Sequence, residues 1–288
     1  MQLRPAELIL NEDGSIYHLN LLPNDISTTI ITVGDPERVS QVSRYFDTIE
    51  VKKGKREFHT HTGHKNGKRL TVISTGIGTD NIDIVLNELD ALVNIDFKTR
   101  TLKKNRIRLN IIRIGTSGSI QADIPVDSFL MSEYAIGFDG LLHFYEHGHI
   151  NHTAIEDEFI THTSWLSAKA RPYVVSYSEN LAELFQDNRI RLGFTATNIG
   201  FYGPQHRQLR LAPSQMEVME KLTSFRYENH CITNLEMETS GIYALAILLG
   251  HAAVSLNCIL ANRVTGEFSK NPSKSIDNLI QFCLERLS

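Results

Sequence analysis

The sequence is poor in cysteine, and it has neither a long uncharged apolar run nor an excess of basic residues. Its three cysteines, Cys231, Cys258 and Cys283, form no Cys-x-x-Cys pair, which argues against a disulfide scaffold or zinc ribbon and fits a reducing cytoplasm. No stretch approaches about 18 uncharged apolar residues, and residues 1–14 contain no long apolar core, so we expect neither a membrane span nor a signal peptide. With 29 basic and 33 acidic residues the net charge is −4, so no whole-chain field attracts nucleic acid.

Several motifs of familiar chemistries are also missing. There is no Gly-x-Ser-x-Gly for a serine nucleophile, and the cysteines lie in apolar contexts. The glycine-rich segments have neither the spacing of a dinucleotide-binding turn nor the Lys of a P-loop. Two histidine clusters lack His-Glu-x-x-His and a nearby Cys, so we expect solvated loops, no metal site and no cofactor. They are His59, His61 and His64, and His143, His147, His149 and His152.

What is present is typical of a globular α/β protein, with 41% hydrophobic and 22% charged residues among 288. Apolar runs rich in β-branched residues alternate with helical patterns, which predicts a three-layer α/β/α sandwich around a mixed, mainly parallel central sheet. No linker or repeat divides the chain, so we predict one domain over residues 1–288. The predicted strands are residues 28–33, 70–75, 109–114, 173–177, 193–197 and 252–260.

Three helices are predicted. One follows Gly78 and could be capped by Asp80, one runs from about residue 236 to 249 before Gly250, and one covers residues 179–186. The polar segment 143–159 is expected to be irregular. The basic segment 96–108 is interpreted as a solvated connection, with a partner-binding loop as the alternative.

The segment Gly34–Arg38, Gly-Asp-Pro-Glu-Arg, directly follows a predicted strand. A glycine there lets backbone amides approach a ligand, and Arg38 could bind an oxyanion in a bidentate manner. The alternative is a tight turn with an exposed arginine. Arg56 could be a further arginine for the same anion.

A charged residue interrupts an apolar strand at Arg113, and Gly-Thr-Ser-Gly follows it. A buried charge is costly unless it is paired or lies at a ligand site, and two hydroxyls between glycines suit phosphate or sugar oxygens. The loop at residues 115–118 would lie at the carboxyl end of its strand, the usual ligand position in α/β folds. The alternative is an arginine paired with a structural carboxylate.

Polar residues also gather after two other predicted elements. Gln205 and Arg207 could present a donor, an acceptor and a guanidinium fork to a planar amide-like ring on which Phe201 stacks, although a surface turn is the simpler interpretation. In the run Glu-Met-Glu at residues 236–238, a carboxylate could bind both hydroxyls of a ribose, or both acids could merely favour a helix start. Asn262-Arg263 ends the last long apolar strand.

Taken in order, these motifs resemble those of uridine phosphorylases, in the nucleoside phosphorylase-I superfamily. The resemblance runs from about residue 14 to the C-terminus and includes Ser15–Leu19 and Leu141–Phe144. It implies phosphorolysis of uridine or a related pyrimidine nucleoside to uracil and ribose 1-phosphate, with inorganic phosphate as co-substrate. It also implies a cytoplasmic homo-oligomer, either a dimer or a hexamer.

The resemblance implies a role for each matching residue. Phosphate would be bound by Gly34, Arg38, Arg113 and Thr116, with Arg56 from a neighbouring subunit. Ribose would be bound by Thr116, Met237 and Glu238, with the neighbour's His18 near the 5′-hydroxyl. The base would be contacted by Ser117, Gly118, Phe201, Gln205, Arg207 and Arg263, and the catalytic set would be Arg113, Gln205, Arg207 and Arg263.

The sequence departs from the family pattern at several positions. Purine-specific members carry an Asp near the position of Asn262-Arg263, and it is missing here. Gly203-Pro204 reverses the usual Pro-Gly order before Gln205. In some relatives Glu, Ile and Ser hold potassium between subunits at the positions of Glu57, Ile77 and Asn81; because Asn replaces the Ser, we assign no metal. A nucleosidase and a non-catalytic nucleoside-binding protein remain as alternative functions.

Overall fold

The computed structural model describes residues 2–148, 150–215 and 217–288. Within them the strands are β1 (Thr29–Val33), β2 (Thr48–Lys55), β3 (Phe58–Lys65), β4 (Lys68–Ser74), β5 (Ile95–Asp96), β6 (Thr101–Leu102), β7 (Asn110–Ser119), β8 (Phe129–Gly137), β9 (Tyr173–Ser176), β10 (Ile190–Thr197), β11 (Arg226–Tyr227), β12 (His230–Glu236), β13 (Ala252–Asn262) and β14 (Glu267–Phe268). The helices are α1 (Pro36–Ser43), α2 (Thr79–Asn94), α3 (Thr153–Thr163), α4 (Glu179–Ala182), α5 (Val218–Ser224), α6 (Thr239–Leu249) and α7 (Pro272–Leu287). Short 3₁₀ turns cover Pro23–Asp25, Leu141–Phe144, Glu183–Phe185 and Gly203–Gln205.

The main sheet is mixed and mostly parallel at its centre, as the sequence predicts. Its order is β11-β12-β10-β8-β13-β7-β1-β4-β3-β2, with β9 beside β8 and β14 beside β13. A further pairing of β12 with β7 closes the strands β7, β13, β8, β10 and β12 into a ring. The sequence does not predict this closure, because it depends on a contact between distant strands.

Helices cover both faces of the sheet, which confirms the layered α/β architecture. Ile30 and Ile111 belong to the core shared with α2 and α6, whereas Ile31 and Ile112 belong to the core shared with α1 and α7. This alternation follows from the two-residue period of a strand. Arg113 has the same parity as Ile111, so its side chain points toward the α2 and α6 side.

Some local predictions are wrong. The expected loop at residues 115–118 is the continuation of β7, which pairs with β13 and β12 as far as Ser119. Gly78, not Asp80, occupies the N-cap of α2, and α6 begins at Thr239 because Glu236 still belongs to β12. The segment expected to be irregular contains α3. Gly250 does end α6, with φ of 78°.

None of the helices in the described part of the chain combines the length and apolarity that crossing a membrane requires.

Candidate active site

A cavity of about 940 Å³ opens where β1, β4, β7 and β12 end at their carboxyl edge. Such edges are the usual ligand sites of α/β proteins. Most of the residues selected from the sequence line this cavity. They are Gly34, Arg38, Arg113, Thr116, Ser117, Gly118, Phe201, Gln205, Arg207, Met237 and Glu238.

One end of the cavity is built by the turn from β1 into α1. The side chain of Asp35 accepts a hydrogen bond from the Glu37 amide at 2.9 Å, and Pro36 occupies the first turn of the helix. This capping fixes Arg38 in the first turn. The Arg38 guanidinium has no hydrogen-bond partner among the described residues, and burial lowers its pKa. An arginine whose guanidinium lies at a cavity without a hydrogen-bond partner is suited to bind an anion.

Beside it, Arg113 lies buried in β7 and is fully engaged. Its Nη2 atom is 2.6 Å from Oε2 of Glu238 and 3.1 Å from Oε2 of Glu236, and Nη1 donates to Oδ1 of Asn257 at 2.9 Å. Burial alone would lower the pKa of Arg113, but the two carboxylates outweigh it and raise that pKa. The pairing with carboxylates that the sequence offered as the alternative is present, and the guanidinium also lines the cavity. Phosphate binding by Arg113 remains a prediction.

Gly115 makes room for that guanidinium. A Cβ atom at Gly115 would lie 1.8 Å from Nη1 of Arg113, so only glycine allows the side chain to fold over the strand. Thr116, one residue further, lines the cavity, and its hydroxyl makes no hydrogen bond among the described residues.

The two acids before α6 have different tasks. Glu236 accepts from the amides of Glu238 and Thr239, both at 2.9 Å, and from the Thr197 hydroxyl at 2.6 Å, so it caps the helix. Glu238 lines the cavity, and its Oε1 accepts from the Gly78 amide at 2.8 Å. Burial raises the pKa of Glu238, although Arg113 opposes the shift.

The far end of the cavity is carried by residues 199–214, which we call the 199–214 loop. Arg207 stacks on Phe201, with its Cζ atom 3.9 Å from the ring centroid, and donates to the side-chain oxygen of Gln205. Arg263 donates to the backbone carbonyl of Gln205 at 2.6 Å, and burial lowers the pKa of Arg263 to about 10. Gln205 and Arg207 together present a donor-rich edge to the cavity.

The reversed Gly203-Pro204 pair is accommodated in this loop. It forms a 3₁₀ turn with Gln205, whose side chain is buried yet lines the cavity. Arg263, in contrast, holds the loop and is not among the lining residues, so its predicted contact with a base would have to be made through Gln205 or after a side-chain movement.

Two of the predicted residues lie away from the cavity of their own chain. Arg56 is exposed at the tip of the β2–β3 hairpin, with φ of 56°. His18 is bound by Glu88, which accepts from its Nδ1 at 2.6 Å and from its backbone amide at 3.1 Å. The resemblance gives both to a neighbouring subunit, and that remains a prediction.

Sequence reasoning missed the residues that hold Arg113 from β13. Ser255 and Asn257 alternate on one face of that strand, and Asn257 accepts directly from the guanidinium. The sequence signal for these residues was a pair of polar side chains, two positions apart, in an otherwise apolar strand. In the pairing of β13 with β7, Ser255 lies opposite Arg113 and Asn257 lies opposite Gly115, so both belong to the same polar cluster.

Within residues 2–148, 150–215 and 217–288, no group of three His, Cys, Asp or Glu residues is arranged to hold a metal. His149 of the second histidine cluster lies outside the described residues. Glu57, Ile77 and Asn81 lie together at the rim of the cavity, and Nδ2 of Asn81 donates weakly to the Ile77 carbonyl at 3.4 Å.

Comparison with known proteins gives matches over nearly the whole chain. A family model described as the phosphorylase superfamily matches residues 28–287. A uridine phosphorylase from Thermococcus kodakarensis is 29% identical over 272 residues, covering 93% of this chain and 85% of that protein. A purine nucleoside phosphorylase DeoD-type from Bacillus velezensis is 24% identical over 251 residues, covering 87% and 89%.

A solved structure is closely similar. The nucleoside phosphorylase from Trypanosoma brucei, described as showing uridine phosphorylase activity, has a TM-score of 0.87 at 28% identity, with 97% of this chain and 99% of that chain covered. Proteins named uridine phosphorylase and proteins named purine nucleoside phosphorylase both occur among the relatives.

Proposed function

This chain belongs to the phosphorylase superfamily, and from that premise we propose that it is a pyrimidine-nucleoside phosphorylase acting on uridine. The observation that carries the proposal is that groups suited to phosphate, ribose and uracil line one cavity. The side chains of Arg38 and Thr116 make no hydrogen bond among the described residues, Glu238 offers a carboxylate, and Gln205 with Arg207 offers an amide and a guanidinium. Phosphate, ribose and uracil have the matching chemistry.

In the proposed reaction, a phosphate oxygen attacks C1′ of the ribose while the bond from C1′ to N1 of uracil breaks. The products are ribose 1-phosphate and uracil, and the proton from phosphate ends on the base. Arg38 and Arg113 position the phosphate, so that encounter becomes an oriented contact. Glu238 binds the ribose hydroxyls through charge-assisted hydrogen bonds. No covalent nucleophile and no cofactor are required.

Negative charge grows on the base as it departs. Gln205 and Arg207 can donate to the uracil carbonyls, and donors aimed at developing charge lower the barrier most when they are preorganised. Their geometry is preorganised here by the stacking of Arg207 on Phe201 and by the anchoring of Gln205 to Arg263. A purine would need a proton at N7, and no Asp accompanies Asn262-Arg263 to supply it.

One assay separates the three candidate functions. Purified protein is incubated with uridine with and without phosphate, and uracil release is followed. Release that depends on phosphate supports the phosphorylase, release without phosphate identifies a nucleosidase, and binding with no release identifies a non-catalytic nucleoside-binding protein. Thymidine and 2′-deoxyuridine, run in parallel, define the preferred pyrimidine nucleoside.

The proposal includes a cytoplasmic homo-oligomer, dimeric or hexameric, in which His18 and Arg56 complete a neighbour's site. The three free cysteines favour a reducing compartment. Mixing two inactive variants tests the sharing: Arg38→Ala and Arg56→Ala subunits, dissociated and reassembled together, should recover activity, since a mixed dimer regains one intact site. If every residue of a site came from one chain, no activity would return.

A further inference from the structure

A second cavity of about 940 Å³ lies on the opposite side of the 199–214 loop. Its floor is formed where β8 and β10 end side by side, since Gly137 pairs with Thr197 and the next residues include Phe138, Asp139 and Asn198. It therefore opens at the same edge of the sheet as the active site. Tyr202 and Arg207 of the loop line it, and Arg207 lines both cavities.

Two buried side-chain atoms at this cavity have no hydrogen-bond partner among the described residues, Oδ1 of Asn198 in the floor and Nδ1 of His206 in the loop, and the floor atom is the acceptor that faces the end of the sheet. The carboxylate of Asp139 already accepts from the hydroxyls of Tyr173 and Ser240 and from the Leu141 amide. Asn198 is only 1% exposed, and its Nδ2 donates to the Ala196 carbonyl at 3.0 Å. That bond fixes which way the amide points, and its Oδ1 has no partner among the described residues. A buried acceptor without a donor is destabilising.

The walls are aromatic and aliphatic. Trp165 packs against Phe138 with ring centroids 4.8 Å apart, and its N–H is already donated to the Ala170 carbonyl at 2.9 Å. Leu209 and Leu211 roof the cavity although they are 69% and 79% exposed. Within the described residues, positions 208–214 of this roof make no hydrogen bond. A mostly apolar pocket with a few placed polar atoms is the usual form of a small-molecule site.

We propose that the second cavity is an accessory binding site for a planar aromatic molecule carrying one N–H or O–H donor. The ring would pack between Trp165 and the leucines of the roof, and the donor would reach Oδ1 of Asn198. One ligand would thus cover exposed apolar surface and satisfy the buried acceptor. Neither the proposed nucleoside nor phosphate has this character, because both are strongly polar.

Occupancy of this site should be coupled to the active site through the 199–214 loop. The loop carries Gln205, which lines the active-site cavity, and Arg207, which lines both cavities, so a ligand beneath the loop would hold these two side chains in place. Phosphate binding would not change, because Arg38 and Arg113 lie on α1 and β7. This coupling rests on the proposed function, whereas the binding itself does not.

Binding can be measured at the single tryptophan. Protein labelled with 5-fluorotryptophan should give one ¹⁹F resonance, from Trp165, since the chain has 1 Trp. Indole is the probe, and benzofuran, which has the same shape without the N–H, is its matched control. We expect indole to shift the resonance saturably and to bind about fivefold more tightly than benzofuran, the factor for one net hydrogen bond.

Two variants localise the effect. Asn198→Leu should remove the preference for indole over benzofuran, and Val218→Phe, which enlarges a side chain of the cavity wall, should weaken both probes. Equal binding of the two probes by the unmodified protein, or no saturable shift, would overturn the proposal, and a water molecule would then be the partner of Asn198. If Asn198→Leu fails to fold, the probe pair and Val218→Phe decide.

The coupling has its own readout. Saturating indole should lower KM for uridine by about twofold to fivefold and leave KM for phosphate unchanged, and by reciprocity uridine should tighten indole by the same factor. Indole binding without uridine turnover would refute the proposed function and support the accessory site. Uridine turnover without indole binding would support the proposed function and refute the accessory site. Binding with unchanged KM for uridine would refute the coupling alone.

Discussion

Removing the guanidinium of Arg113 should damage both stability and activity, whereas removing that of Arg38 should damage activity alone. The two arginines line the same cavity, yet their surroundings differ. Arg113 is 6% exposed and touches two buried carboxylates, while the side chain of Arg38 has no hydrogen-bond partner among the described residues. A matched pair of alanine variants separates these situations.

The magnitude follows from the contacts. Breaking a buried ion pair by removing one partner costs about 3–5 kcal/mol, because the remaining charge stays buried without compensation. Within the described part of the chain, Arg113→Ala leaves the Glu238 carboxylate with the Gly78 amide as its one hydrogen-bond donor, so we expect a loss of unfolding free energy in that range. Arg38→Ala removes no paired group and should cost less than about 1 kcal/mol. Both variants should lose about a hundredfold in rate at limiting phosphate.

The pH dependence gives a second check. Burial already raises the pKa of Glu238, and loss of Arg113 should raise that pKa further. A carboxyl group with a higher pKa in the folded state takes up a proton on folding, so the free energy of unfolding falls as pH rises. The deficit of Arg113→Ala should therefore be largest at neutral pH and shrink as pH falls through the raised pKa of Glu238.

Urea unfolding at pH 7 and pH 5 measures both effects, and it is run at one fixed protein concentration because the proposed subunit assembly would contribute to stability. Wild type and Arg38→Ala serve as the references. An Arg113→Ala protein as stable as Arg38→Ala would refute the reasoning. A deficit that grows as the pH falls would refute it as well, since the sign comes directly from the buried carboxylate.

Three further predictions concern single side chains. Gly115→Ala places a Cβ atom 1.8 Å from Nη1 of Arg113 and should lower the free energy of unfolding by about 1–3 kcal/mol in thermal or urea denaturation. The control is Gly203→Ala, whose Cβ atom would meet nothing within 4 Å and should leave stability unchanged. Equal effects of the two substitutions would contradict the packing argument. The kcat/KM for uridine should fall as the pH decreases, with a midpoint above the ordinary pKa of a glutamate, because burial raises the pKa of Glu238. The Glu238→Gln variant should have a lower rate and should not show this decrease at acid pH. If the decrease persists unchanged in the variant, another group is responsible for it. Uridine should exceed inosine by about a hundredfold or more in kcat/KM, and Gln205→Ala should erode this preference mainly by weakening uridine; comparable rates for both nucleosides would overturn the pyrimidine assignment.

The layered fold and the lining of the cavity were predictable because both are local in sequence. Strands rich in β-branched residues can be recognised in the sequence as apolar runs, and ligand-binding groups follow these strands at their carboxyl ends. Gly34 and Arg38 follow β1 in this way, and Gly118 ends a motif that begins at Arg113. Short motifs in a fixed order then resembled a family, and the family model confirmed that resemblance.

The remaining features depend on contacts between distant residues. Residues 115–118 are strand and not the expected loop because β13 pairs with them along their whole length. The closure of β12 onto β7 adds the pairing of Gly118 and Ser119 with Leu235 and Asn234. Glu236 caps α6 while Glu238 lines the cavity, and these different roles follow from where β12 ends and α6 begins. Patterns in a single sequence locate such boundaries poorly. Helix α3 was missed because its apolar face is short and its flanks are polar.

The site thus combines a rigid end with an end carried on a loop. Arg113, Glu236 and Glu238 form a buried cluster held by sheet and helix backbone, so the groups proposed to bind phosphate and ribose are fixed by the core of the protein. Gln205 and Arg207 depend instead on the 199–214 loop, whose hold on the core includes one bond from Arg263 to a backbone carbonyl. Changes in the loop should therefore alter affinity for the nucleoside while leaving phosphate affinity intact. Selection of the base can then vary within this fold without disturbing the buried charges on which folding depends, because the two sets of residues share no hydrogen bond among the described residues.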